Sequence, residues 1–296
     1  MASPSKMKSF SLLLRSRLEV IFIWTWSTIV ACLIVGKGTP PLTPTFKAMA
    51  SMIFVTISVY TYNDIVDAEA DKNNKVKMGR PLPSGLVPLN DAKILAAVSA
   101  VIGLAIGYTI NIYAFAFISV FFVVFGAYSY PLIHLKKMFL VKEIVISSGP
   151  IIASLVGSYA ITQSVSYQAL FAAVITAFMG MVIQPGLNDS TDIEADRLQG
   201  VKTLAMALDW KMKMQMLISG ILLVMVVTPL TYSYFNYNLL LPLWMVGGGF
   251  IALRSIFPIR NAYEETGVLK ARKMVIIYWA LMQVFSILGA LNISFL

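Results

Sequence analysis

Two nonapeptides place acid in an otherwise apolar chain: Asn63-Asp64-Ile65-Val66-Asp67-Ala68-Glu69-Ala70-Asp71 and Asn188-Asp189-Ser190-Thr191-Asp192-Ile193-Glu194-Ala195-Asp196. Six of the nine positions are identical, and the copies start 125 residues apart. Each lies where a hydrophobic run gives way to a basic segment, a place where carboxylates are costly and mark function. Asp64, Asp67 and Asp71 stand at i, i+3 and i+7. On a helix turning about 100° per residue, that spacing gathers them within roughly 60° of one another. Asp189, Asp192 and Asp196 repeat the spacing, while Glu69 and Glu194 turn nearly to the opposite side.

Three carboxylates on one helical face repel each other unless a cation joins them. Oxygen ligands with no His or Cys alongside favour a hard divalent ion. Magnesium fits best, because it is usually held by one or two carboxylates together with substrate phosphates. Basic, turn-rich segments follow both motifs: Lys72-Asn73-Asn74-Lys75-Val76-Lys77-Met78-Gly79-Arg80-Pro81-Leu82-Pro83-Ser84-Gly85 and Arg197-Leu198-Gln199-Gly200-Val201-Lys202-Thr203. Acids, metal and Lys/Arg together make a diphosphate site, with metal bridging acid to phosphate and cations balancing the remaining charge.

The elements that must position these residues are membrane spans. Of the 296 residues, 58% are hydrophobic and only 12% charged. With a mean hydropathy of +0.78, this composition excludes an ordinary soluble domain. The one cysteine, Cys32, lies in an apolar run, which rules out an intrachain disulfide and a cysteine-based structural zinc site. Met1 to Ser11 carries Lys6 and Lys8 without a convincing small-residue cleavage site, so the first long apolar run reads as a retained helix. Nine runs read as spans, the fourth of them marginal in length: Leu18 to Gly36, Pro44 to Tyr62, Ala92 to Ile110, Tyr113 to Tyr128, Ile144 to Ile161, Ala169 to Leu187, Met214 to Tyr232, Leu239 to Ile256 and Met274 to Leu291. The fold class expected is an all-α integral membrane bundle of nine transmembrane helices.

Charge placement tests that count. With the N-terminus in the cytoplasm, the Lys and Arg residues of the connections fall on the cytoplasmic side, and only Lys37 and Lys47 fall on the other. This is the positive-inside asymmetry, and it puts both acidic motifs at the cytoplasmic face. Topology thus explains the net charge of +9; the partner implied is the lipid bilayer and no nucleic acid. Four spans separate the motifs, so residues 1–296 read as one domain with a parallel internal repeat. A carrier built on midplane acids and an inverted repeat fits less well.

The residues carry a specific resemblance. The N-D-x-x-D-x-x-x-D motif, the following G-R-P-L-P-S-G, the segment Tyr128-Ser129-Tyr130-Pro131-Leu132 with Lys136, and the second motif running into G-V-K-T-L resemble the UbiA superfamily of intramembrane prenyltransferases. The resemblance extends from about Arg15 to the last helix. It implies a nine-helix bundle with a cytoplasmic-side cavity, a lateral opening for lipid substrates, and an allylic prenyl diphosphate held by Mg2+ between the motifs. The implied catalytic and metal residues are Asp64, Asp67, Asp71, Asp189, Asp192 and Asp196, with Lys136 acting on the diphosphate. Substrate contacts implied are Asn63, Arg17, Lys72, Arg80, Tyr128, Lys136, Asn188 and Lys202. Tyr60, Tyr62, Phe125, Tyr128 and Tyr130 lie near the expected mouth, where aromatic faces can stabilise an allylic cation.

Many relatives open helix one with Arg-Pro-x-Asn, whereas this chain reads Arg15-Ser16-Arg17-Leu18-Glu19. Glu19 is expected to pair with a nearby arginine, the other reading being a role in orienting the acceptor. The reaction implied is ionisation of the carbon–oxygen bond to the diphosphate, then capture of the cation by an acceptor. Geranylgeranyl transfer to geranylgeranylglyceryl phosphate, in ether-lipid synthesis, is the leading expectation. Prenylation of an aromatic or tetrapyrrole acceptor and a cyclase outcome remain alternatives. His134, the one histidine, is expected on a surface loop, and Gly103-x-x-x-Gly107 and Gly247 to Gly249 in close helix packing.

Overall fold

Turn and cap residues divide the hydrophobic runs into helices joined by short connections. The structure, a computed structural model, describes residues 5–74, 77–191, 193, 197, 200 and 203–292. The principal helices are α1 (Lys6–Arg15), α2 (Leu18–Val35), α3 (Leu42–Asp71), α4 (Leu89–Tyr108), α5 (Ile112–Ser129), α6 (Val141–Thr162) and α7 (Tyr167–Ile183). They continue with α8 (Trp210–Thr231), α9 (Leu240–Ile256) and α10 (Glu265–Ala290). No strand occurs among the described residues. Nine of their helices, α2 to α10, are long and apolar enough to cross a bilayer. The protein is an integral, multi-pass membrane protein.

Local chemistry sets the ends. Asn111 starts α5 by accepting the Ala114 amide at 2.8 Å, and Asp209 starts α8 by accepting the Met212 amide at 2.7 Å. Inside the spans, hydroxyls bond back to their own helix: Thr28 to the Trp24 carbonyl at 3.1 Å and Thr176 to the Ala172 carbonyl at 2.8 Å. Such back-bonding removes polar cost where water is absent. Exposed apolar side chains such as Phe22, Val101, Val123, Leu230 and Phe250 ring the bundle, which is the surface a lipid solvent favours.

Three boundaries differ from the sequence reading. α3 does not stop near Tyr62 but runs unbroken to Asp71, so the first motif is part of a spanning helix. α10 begins at Glu265, nine residues before Met274, because Lys270, Arg272 and Lys273 are good helix formers that lengthen the helix beyond its apolar part. The amphipathic α1, capped by the Ser5 hydroxyl, precedes the first span.

Packing among the described residues forms three buried cores, the two larger of which meet on α2. Trp24 of α2 joins Met52 and Val55 of α3, Phe121 and Phe125 of α5, and Ile152 of α6. Val30 and Ile34 of α2 join Met179, Leu217, Met245 and Tyr278 from α7 to α10. Glycine permits the closest approach of α3 to α4: a Cβ on Gly103 would lie 2.7 Å from Val55 Cγ2 and 2.9 Å from its amide nitrogen. Ser51 Oγ donates to the Gly103 carbonyl at 2.7 Å in the same contact. Gly248 and Gly249 are similarly crowded, whereas Gly247 faces open space, so the expectation of close packing holds for two of that trio.

Gly103→Val should therefore cost about 1–3 kcal/mol by overpacking, and Gly247→Ala should be neutral. Thermal unfolding in one detergent checks this; equal midpoints for the two variants would contradict the packing described.

Candidate functional site

The last turns of α3 carry the first motif as one acidic edge. Asp64 is 6% exposed and Asp71 1% exposed, and each acid is met by a cation from a different part of the chain. Arg17, at the turn between α1 and α2, forms a two-pronged pair with Asp64: Nε donates to Oδ2 at 2.8 Å and Nη2 to Oδ1. Burial alone would lower the Arg17 pKa, but the hydrogen bond and charge of Asp64 outweigh it and hold the guanidinium above its ordinary value. Arg80 bridges two turns of the helix, with Nη1 3.3 Å from Asp71 and 3.8 Å from Asp64. Lys77 reaches Asp71 at 4.0 Å, and Lys136 pairs with Asp67. Asn63 orients Asp67 by donating to its Oδ2 at 3.0 Å, and it also contacts Ser129 Oγ at 2.6 Å.

The helical-face argument holds on this motif. Glu69 is turned away and joins Lys72 in an exposed pair at 2.7 Å, outside the cluster. The second motif starts differently. α7 ends at Ile183, Gln184–Asn188 forms a single π turn, and Asp189–Thr191 a 3₁₀ turn. Pro185 has no amide hydrogen to continue the α-helical ladder, and π turns recur at functional sites. Ser190 Oγ closes the turn by donating to the Pro185 and Gly186 carbonyls at 2.9 and 3.1 Å. The helix is thus irregular just ahead of motif two, and Asp189 opens the 3₁₀ turn. Asp192, Glu194, Asp196 and Lys202 lie outside the described residues.

Asp189 is buried, and Lys142 donates to its Oδ2 at 3.1 Å. Asn188 donates to Gln184 Oε1 at 3.2 Å. The buried ammonium of Lys213 reaches Ser190 Oγ at 3.4 Å. Sequence reading assigned Lys142 and Lys213 only to topology, and nothing in their local pattern singles them out. They are found because folding brings α6 and α8 to the second motif. One short stretch thus serves both motifs, with Lys136 on Asp67 and Lys142 on Asp189.

Aromatic side chains lie directly under the ionic layer. The Arg17 guanidinium sits 5.8 Å from the Tyr60 ring centroid. Trp24 Nε1 donates to the Tyr60 hydroxyl at 3.0 Å, and Phe121 and Phe125 stack at 4.2 Å beside Trp24. Tyr62 and Tyr128 are half-buried, while Tyr130 is exposed. Deeper in the bundle, Ser27, Ala31, Ser154, Ala172, Thr176 and Gln283 line a small cleft. Glu19 is exposed and makes no ion pair among the described residues; the nearby Arg17 is committed to Asp64.

His134 is half-buried rather than a free surface residue, with a left-handed φ of 50°. Burial, then the charges of Lys136 and Lys137, lower its pKa against the opposing pull of Asp67.

The UbiA prenyltransferase family model matches residues 24–287. A digeranylgeranylglyceryl phosphate synthase of Sulfurisphaera tokodaii is 26% identical over 78% of this chain and 81% of its own length. That of Sulfolobus acidocaldarius is 28% identical over 84% and 86%. A solved structure of digeranylgeranylglyceryl phosphate synthase superposes with a TM-score of 0.75 at 21% identity, covering 97% of this chain and 99% of that one. A UbiA homolog from Archaeoglobus fulgidus bound to DMAPP and Mg2+ gives 0.68 at 15% identity, over 94% and 98%. These likenesses fix the fold.

The lowered His134 pKa has a testable sign. As pH falls below about 6.5, the unfolded chain binds a proton that the folded site resists, so folded stability declines. His134→Asn tolerates the left-handed backbone and removes that decline. The melting difference, variant minus parent, should therefore rise between about pH 7.5 and 5.5; a constant difference would contradict the assignment.

Proposed function

The chain belongs to the UbiA prenyltransferase family, and from that premise we propose magnesium-dependent transfer of a polyprenyl group, geranylgeranyl by preference, from its diphosphate to geranylgeranylglyceryl phosphate. This is a step of ether-lipid synthesis, and the site faces the cytoplasm in this reading, as the Lys/Arg asymmetry supports. The observation that carries it is the edge of α3, where three aspartates at helical spacing are each met by an Arg or Lys from a separate connection. Residues 1–296 act here as one domain with a parallel repeat, a reading supported by two cores that share α2.

In the reaction, the carbon–oxygen bond of the allylic diphosphate breaks and its electron pair leaves on the diphosphate. A lone pair of the acceptor hydroxyl captures the allylic carbon, forming an ether and releasing the hydroxyl proton. Asp64, Asp67, Asp71 and Asp189, with Asp192 and Asp196 by motif, are oxygen-only donors that would hold a hard divalent ion, although among the described residues no three acids already converge on one cation position. Magnesium, when bound there, neutralises charge on the departing diphosphate. Arg17, Arg80 and Lys136 bind the phosphate oxygens, and their fixed positions stabilise charge where it develops. Tyr60, Trp24, Phe121 and Phe125 exclude water and offer π faces to the cation. The small residues around Ser27, Ala31 and Ala172 support a place for the prenyl tail deeper in the bundle.

Purified protein in nanodiscs, given magnesium and prenyl diphosphates of several lengths, is offered glycerol-phosphate, aromatic and tetrapyrrole acceptors. The product is then identified by mass spectrometry. A prenylated glycerol-phosphate lipid is expected. An aromatic or tetrapyrrole product would replace the acceptor, and diphosphate release with no coupled product would make the enzyme a cyclase.

Asp64→Asn and Lys136→Met should each lower kcat by roughly 100-fold or more, as loss of a preorganised charged group does. Lys72→Ala, whose partner Glu69 points away from the cluster, should stay within about twofold, as surface substitutions usually do. Size-exclusion profiles and steady-state kinetics read both; parental turnover in Asp64→Asn would refute the assignment. Chelation should abolish turnover, and added magnesium should restore it.

A further inference from the structure

Glu143 is a buried carboxylate beside the second motif that the proposed chemistry leaves unused. It lies in the first turn of α6 and is 1% exposed. Its Oε1 accepts the backbone amide of Leu204 at 2.9 Å, while its Oε2 has no partner among the described residues. Thr203, also 1% exposed, has a buried hydroxyl with no partner among them. Buried polar atoms are almost always satisfied, so two orphans at one contact point to a shared task.

Chain geometry gives that task. Lys142, the preceding residue, holds Asp189 at 3.1 Å. Asp189 and Leu204 are the near and far ends of the segment that carries the rest of the second motif and its G-V-K-T-L sequel. Two consecutive side chains at one helix start therefore grip both ends of that segment. The same connection, six residues earlier, delivers Lys136 to Asp67 of the first motif. Leu204 opens the short helix Leu204–Ala207, whose first amides need acceptors, and Thr203 stands next to it. A single carboxylate can take the Leu204 amide on one oxygen and the Thr203 hydroxyl on the other.

We propose that Glu143 is a positioning residue that, with Lys142, clamps the two ends of the second-motif segment and so sets the distance between the two halves of the diphosphate site. It acts through the Leu204 amide, with Thr203 next in the chain. The kinetic part rests on the prenyl-diphosphate reading above, and the structural part does not.

The test uses the full chain in nanodiscs with Glu143→Ala, Glu143→Gln and Thr203→Val. Amide hydrogen exchange is followed by mass spectrometry. In Glu143→Ala, exchange over 203–208 should quicken while α3 peptides stay parental. Glu143→Gln keeps a carbonyl that can accept the Leu204 amide and should exchange like the parent. In turnover, Glu143→Ala should raise both the magnesium needed for half-maximal rate and the KM for prenyl diphosphate by roughly 10-fold or more, the usual cost of losing a ligand's supporting partner. Glu143→Gln should recover most of that loss. A merely structural residue would lower the active fraction and leave both constants unchanged, which overturns the proposal. Parental exchange over 203–208 in Glu143→Ala overturns it too, as does a Glu143→Gln variant as impaired as the alanine. Should Glu143→Ala fail to assemble, Thr203→Val decides by the same exchange reading. A parent without prenyl turnover would sink the functional reading, and the exchange comparison would still judge the clamp.

Discussion

Carboxylate charge carried on the end of a membrane helix is the constraint around which this protein is built. Asp64 and Asp71 are nearly sealed from solvent, and an unpaired buried carboxylate is far more costly than a paired one. The chain meets that cost with three separate connections converging on α3. The α1–α2 turn supplies Arg17, the segment after the motif supplies Lys77 and Arg80, and the α5–α6 connection supplies Lys136. Each of those connections is thereby fixed in place. The ionic cluster organises this end of the bundle.

The two motifs show where sequence is readable and where it is not. Span count and the one-sided placement of Asp64, Asp67 and Asp71 follow from hydropathy and helical period, because α3 continues regularly through all three. Ahead of the second motif the helix is not regular, since Gln184–Asn188, which contains Pro185 and Gly186, forms a π turn. Periodicity assumes an unbroken helix, and the interrupting residues lie just before the motif rather than within it. Partner choice was harder still. A local reading pairs Glu19 with an arginine beside it, but Arg17 instead reaches Asp64, 47 positions away. Lys142, Lys213 and Glu143 carry no local signature; only the folded arrangement of α6, α7 and α8 gives them roles.

The comparisons and the geometry support different parts of the account. The family match over residues 24–287 establishes the family, whereas the solved structures, at 21% identity and below, speak only to the fold. The ionic cluster speaks to neither directly, but it separates this protein from a carrier. A carrier holds its charged site near the middle of the spans, whereas here the described acids and cations lie at the end of α3 and at the start of the second motif, after α7.

The vertical order of the site then explains why one helix carries both ionic and aromatic groups. Tyr60 and Asp64 are four residues apart on α3, so they share a face and are separated by about 6 Å of helix rise. Arg17 touches both, pairing with Asp64 and lying over the Tyr60 ring. Above that line lie the ion pairs and the hydrogen bonds of Asn63; below it, Trp24, Phe121 and Phe125 form an aromatic floor. In the proposed reaction the bond that breaks joins a diphosphate to an allylic carbon, one part needing cations and the other needing π faces without water. A substrate with its diphosphate among the cations must place that carbon at the boundary, within a single turn of α3. In that reading, the division of polarity along the turn would set cations at the leaving diphosphate and π faces at the allylic carbon.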